Sequence, residues 1–236
     1  MHKSHMIMSF CNSGKTLTLI RKSVEAALNG RMVLYVNVEL RPDMLSQRFY
    51  AYREDDSILA NNINYITIPV GDAGLEYFRD YIKANPHYDL IAFDMPQIIT
   101  GTIDKLHEFI MELKTYADVI FTTQANRYAL SVLENGDALP YMEKAFSTSD
   151  TAIFLIKANN PDDVCVEEHV ISEFPIDVKT GEFDSNNVSS YYIEIAENGE
   201  PRLNQFHTHR NINIWGIKQC NLMSVIANTD NYLVRE

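Results

Sequence analysis

Three consecutive residues, Gly14-Lys15-Thr16, lie between a short apolar run over residues 5–10 and a segment of helical period over residues 15–29. In the pattern GxxxxGK[ST] such a tripeptide holds a phosphate chain. Backbone N–H groups and the helix N-terminus bind the phosphates, the lysine reaches the outer ones, and the hydroxyl ligates Mg2+. Ser9 occupies the place of the first glycine. An ordinary turn with an exposed lysine would show the same tripeptide, so the weight rests on the strand, glycine turn and helix around it. Further along, Leu90-Ile-Ala-Phe-Asp94 is an apolar run that ends in a carboxylate, the group that orders Mg2+ and its water. A strand-end aspartate is more often a turn or cap residue, but beside Lys15 and Thr16 the metal role is favoured. Glu39 closes another apolar run. It is either a carboxylate that orients an attacking water or a first-turn acid that stabilises a helix dipole.

Positioning these groups requires strands whose ends meet. Over the first 160 residues, β-rich apolar runs alternate with amphipathic segments. Strands are expected at 5–10, 32–38, 64–69, 88–93, 118–123 and 151–156, with helices at 15–29, 41–52, 73–84 and 102–116. Strands separated by helices predict right-handed crossovers and a mostly parallel sheet, and continuous apolar strands predict helices on both faces. Ligands of such sheets gather at the carboxyl ends of the strands. After residue 158 the helical period stops. Residues 166–171, 190–196 and 202–207 then read as an antiparallel meander that extends the sheet.

Composition narrows the classes. The chain has 236 residues, 46% of them apolar, and a net charge of −12. It is long enough for a substantial core, and no window or N-terminal run has the character of a membrane span or secretory signal, so a soluble, cytoplasmic protein is expected. Cys11, Cys165 and Cys220 form no CxxC pair and read as reduced thiols, and His207-Thr-His209 lacks a third metal ligand. Between residues 161 and 200 eleven acids face Lys179 alone, so this stretch holds most of the net charge and leaves the rest close to neutral. The acidity opposes general-surface binding to nucleic acid but not a local site.

In their order these motifs resemble the RecA-like ATPases, and in particular the ATPase domain of DnaB-type replicative helicases, phage members included. Asn12-Ser13-Gly14-Lys15-Thr16 resembles the phosphate loop of that family. Val33-Leu-Tyr-Val-Asn-Val-Glu39 is similar to the strand ending in Ser-Leu-Glu, whose glutamate activates water, and Arg48 falls where the family keeps a nucleotide-contacting arginine. Asp94-Met-Pro-Gln97 resembles the second acidic motif, Asp-Tyr-Leu-Gln. Phe121-Thr-Thr-Gln124-Ala-Asn126-Arg127 resembles Ser-Gln-Leu-Asn-Arg, whose glutamine senses the γ-phosphate.

The resemblance implies an α/β, RecA-like three-layer αβα fold with a mostly parallel sheet and a C-terminal antiparallel extension. It implies one domain over 1–236, with a nucleotide-binding core at 1–158 and an acidic β-rich extension at 159–236. ATP and Mg2+ would be bound by Asn12, Ser13, Gly14, Lys15, Thr16, Leu17 and Arg48, with Thr16 and Asp94 at the metal and Glu39, Lys15 and Gln124 in catalysis. Implied partners are single-stranded DNA through Arg127 and Lys144, further copies in a hexamer or filament, and other replication proteins, with no membrane.

Two departures accompany this likeness. Where the family carries a Lys and an Arg that reach into the neighbouring subunit's nucleotide, this chain has Ile195 and Glu197, leaving Arg202 or Arg210 to serve from another place. Few residues precede the first strand, so the family's N-terminal domain and linker helix have no counterpart ahead of it. Three functions are compatible with these features: an ATP-hydrolysing, helicase-type protein of DNA replication or recombination, a nucleotide-binding assembly module with little turnover, or a recombinase-like filament protein.

Overall fold

The computed structural model describes residues 2–9, 14–50, 61–124, 146–159, 169–180, 184, 187, 189–195 and 201–203. The first apolar run is strand β1 (Ser4–Ser9), and helix α1 (Lys15–Leu28) follows a turn at Gly14. Leu17, Ile20, Val24 and Ala27, spaced on one helical face, are all buried against the sheet. The helix stops at Asn29-Gly30. Gly30 has φ 81°, its N–H reaches the Ala27 carbonyl and the Arg31 N–H reaches Ala26, a glycine-dependent C-terminal cap.

Strand β2 (Val33–Asn37) leads to α2 (Pro42–Tyr50), then to β3 (Ile63–Thr67) and α3 (Asp72–Ala84). Strand β4 (Leu90–Phe93) leads through a one-turn helix, α4 (Gln97–Thr100), and α5 (Ile103–Leu113) to β5 (Asp118–Gln124). Four more strands follow, β6 (Thr151–Asn159), β7 (His169–Ile176), β8 (Ser189–Ile195) and β9 (Pro201–Leu203).

These nine strands form one sheet in the order β3-β2-β4-β5-β1-β6-β7-β8-β9. Pairings from β3 through β6 are parallel, and those from β6 through β9 are antiparallel. The expected meander therefore extends the sheet. Its first strand is registered later than the sequence suggests, running to Ile176, because Ile171, Phe174 and Ile176 supply its buried side chains.

Both faces are covered, as the continuous apolar runs predict. In β2, Val33 and Tyr35 point to the α1 and α2 side with Leu19, Ile20, Leu45 and Phe49, while Leu34 and Val36 point to the other side. That opposite core is centred on Phe78, Phe93 and Phe109, whose rings meet edge to face at 5.3–5.9 Å. The expectation holds less well for β3, where Asn64, Tyr65 and Thr67 are exposed. As the edge strand, β3 has only β2 beside it, so one flank meets solvent.

Candidate phosphate and metal site

Because β1, β2, β4 and β5 are parallel neighbours, the residues at their carboxyl ends come together at one edge of the sheet. Gly14 turns the chain into α1 at φ 84°, in the left-handed region where a Cβ is unfavourable. Its carbonyl accepts the Thr18 N–H at 2.9 Å and the Thr18 hydroxyl at 3.0 Å, which fixes the first turn of α1. Lys15 is buried, an uncommon setting for lysine. Its ammonium donates to Ser9 Oγ at 3.2 Å, so the residue standing for the loop's first glycine anchors the loop's lysine.

Thr16 Oγ1 donates to Asp94 Oδ2 at 2.8 Å, which joins the start of α1 to the end of β4. Asp94 is fully buried and takes two further hydroxyl donors, Tyr35 to Oδ2 at 3.3 Å and Thr122 to Oδ1 at 2.6 Å. Burial pushes the Asp94 carboxyl above its ordinary range, and these hydroxyls with the nearby Lys15 charge oppose that rise. The Tyr35 phenol is held well above its ordinary range by burial and by Asp94, with the Arg48 charge acting the other way.

Glu39 is exposed on the turn between β2 and α2. Asn37, the last residue of β2, holds that turn: its Oδ1 accepts the Leu40 N–H at 2.9 Å, and its Nδ2 donates to the Leu40 carbonyl at 2.5 Å and to Thr67 Oγ1 at 3.2 Å. Arg48 is half-buried on α2, and its neighbour Phe49 packs edge to face on Tyr35 with ring centroids 5.0 Å apart. Gln124, half-buried at the end of β5, is the register partner of Ser9. Gln97 is buried at the start of α4, and neither atom of its amide meets a partner among the described residues.

Lys15, Thr16 and Asp94 are thus in one group, with Gln124 beside it through Ser9 and with Glu39 and Arg48 on the segment that follows β2. Leu17 contributes its side chain to the core, so anything it offers a nucleotide comes from its backbone. Asn12, Ser13, Arg127, Lys144, Glu197, Arg210, the three cysteines and His207 and His209 lie outside the described residues. Tyr35, Asn37 and Thr122 were not singled out by sequence. The available signal was a polar atom inside an apolar run, which in a strand covered on both faces must find a partner.

An oxygen pair made of one hydroxyl and one carboxylate suits Mg2+, which takes few protein ligands and completes its shell with phosphate oxygens and water. Among the described residues no group of three or more His, Cys, Asp or Glu forms a metal cluster.

Solved structures show the same architecture. The flagellar accessory protein FlaH from Methanocaldococcus jannaschii matches with TM-score 0.57 and 14% identity, over 87% of this chain and 90% of its own. The ATPase domain of a DnaB-like protein matches with TM-score 0.54 and 15% identity, over 86% of this chain and 85% of its own. The chain has the RecA-like P-loop ATPase fold. A KaiC-like protein from the hyperthermophilic archaeon Pyrococcus horikoshii shares that fold, with TM-score 0.53 and 17% identity over 86% of this chain and 89% of its own. No protein-family model matches the sequence, and neither does any curated protein. Within this RecA-like fold, no helix among the described residues is long and apolar enough to cross a membrane.

Proposed function

We propose that this RecA-like chain binds ATP with Mg2+ and hydrolyses it, as a DnaB-like motor protein of DNA replication or recombination. The observation that carries the reading is the Thr16 Oγ1 to Asp94 Oδ2 hydrogen bond beside the buried Lys15, at the carboxyl edge of a parallel sheet. Bound Mg2+ would neutralise phosphate charge. The chain's own residues supply the rest. The loop N–H groups after Gly14 and the Lys15 ammonium bind the phosphates, and Thr16 and Asp94 hold the metal's protein side. Glu39 orients a water towards the γ-phosphorus, and as the new P–O bond forms the bond to the β-phosphate oxygen breaks, leaving ADP and phosphate. Gln124 stands next to the Ser9 anchor, where a change in the outer phosphate is felt on β5.

The test is ATP turnover with and without single-stranded DNA, in wild type, Lys15→Ala and Glu39→Gln. The reading expects DNA-stimulated turnover that both changes abolish, and undiminished activity in Glu39→Gln would remove that residue's role. A second reading, a nucleotide-binding assembly module with little turnover, is favoured by Ile195 and Glu197 at the positions where the helicases carry basic residues. ATP binding without turnover in wild type would establish it in place of the motor.

A further inference from the structure

Asp94 is fixed from two neighbouring strands as well as from the phosphate loop. Its main-chain N–H donates to the Val36 carbonyl at 2.8 Å, which continues the pairing of β4 with β2. From β2 the Tyr35 hydroxyl meets Oδ2, and from β5 the Thr122 hydroxyl meets Oδ1. Thr122 Oγ1 in turn accepts the Met95 N–H at 2.7 Å. Met95 has φ 56° and precedes Pro96, two features that are uncommon and restrictive for a non-glycine backbone. The turn out of β4 is therefore held on the same threonine that holds the carboxylate.

A carboxylate offers about four lone-pair positions. Thr16, Tyr35 and Thr122 use three of them, so the plane of the Asp94 carboxylate is set and one position is left open. Of these three donors, Thr16 alone belongs to the phosphate loop.

We infer that Tyr35 and Thr122 are positioning residues, which orient the Asp94 carboxylate so that it and Thr16 receive the Mg2+ of a bound nucleotide. The inference rests on the proposed nucleotide site. It adds that the metal half of the site is built by β2 and β5 and is separable from the phosphate half built by residues 14–16. Outer hydrogen-bond partners of this kind commonly carry a tenfold or larger share of metal affinity. Tyr35 is further locked by Phe49, so its hydroxyl is delivered by a packed ring.

The experiment is a Mg2+ titration of fluorescent ATP-analogue binding to the full chain, repeated in EDTA, for wild type, Tyr35→Phe, Thr122→Val and Thr122→Ser. The expected result is a Mg2+ half-point raised on the order of tenfold in Thr122→Val and about threefold in Tyr35→Phe, with Thr122→Ser close to wild type. Binding in EDTA should be the same in all four. Tyr35→Phe removes a single oxygen and keeps the ring packing, so it remains informative if Thr122→Val folds poorly. Unchanged half-points in both Tyr35→Phe and Thr122→Val, with Mg2+-dependent binding intact in wild type, overturn the inference alone. Equal weakening with and without Mg2+ also overturns it, as the signature of a merely structural role. A wild type that binds no nucleotide removes the inference together with the function it rests on.

Discussion

Ser9 and Gln124 are direct register partners across the parallel strands β1 and β5, and Ser9 Oγ receives the Lys15 ammonium. The glutamine thus stands one strand spacing from the residue that seats the loop lysine. A polar group so placed can respond to charge on an outer phosphate without holding the nucleotide itself. Gln124→Ala is expected to lower kcat on the order of a hundredfold, the scale of losing one transition-state donor, with nucleotide affinity nearly unchanged. Steady-state kinetics with a parallel binding titration check this, and a loss confined to affinity would refute it.

Asn37 is fully buried and bridges Leu40 and Thr67, so it holds the turn that carries Glu39. Asn37→Ala leaves a carbonyl and an N–H of that turn without their partner, at a cost of about 2 kcal/mol. For a chain of this size that is a fall in Tm of about 4–8 °C. Turnover is expected to fall as well, because the water-orienting carboxylate loses its fixed support. Calorimetry and ATPase assays on the same preparation separate the two effects.

Glu173, from the acidic stretch, is buried on β7 and takes Arg21 and Lys22 of α1 as ion-pair partners. Part of the charge that reads as a solvated acidic tail therefore ties the extension to the helix that opens at the phosphate loop. Arg21→Ala is expected to destabilise the fold by about 2 kcal/mol, less than for a fully buried pair, since the arginine retains some exposure and Lys22 remains. Urea denaturation measures this, and a double change with Glu173→Gln is expected to be less than additive.

His5 on β1 gives a pH dependence with a defined sign. Burial, assisted by the Lys22 charge and opposed by Glu173, lowers its pKa to about 4. Its Nδ1 shares a 2.7 Å hydrogen bond with Thr151 Oγ1, and its Nε2 is buried with no partner among the described residues, so a second proton would have nowhere to point. In the unfolded chain the imidazole titrates near 6.5. The unfolded state therefore binds the extra proton first as pH falls. The stability that neutral His5 contributes is complete above about pH 6.5 and is lost between about 6.5 and about 4, to a total of about 3 kcal/mol. Urea midpoints across that window should fall more steeply in wild type than in His5→Gln, and parallel slopes would rule the group out.

How much was legible in advance follows from the range of each interaction. Gly14-Lys15-Thr16 opening a helix, the aspartate closing the apolar run at 90–94, and the alternation of strands and helices are local patterns, and the sequence alone determined them along with the three-layer class. Even Tyr35 was readable as a strand residue. What only the tertiary structure decided is which strand ends meet. The order β2-β4-β5-β1 sets Ser9 against Gln124 and puts Tyr35 and Thr122 on either side of Asp94. These partners are far apart in the chain, and a hydroxyl inside an apolar run has no local sign of the carboxylate it will meet. The same holds for Glu173, whose charge the sequence assigns to an acidic surface and whose burial depends on β7 folding back against α1. Composition and period act over one or two turns of chain, whereas the metal half of this site exists only once three parallel strands have paired.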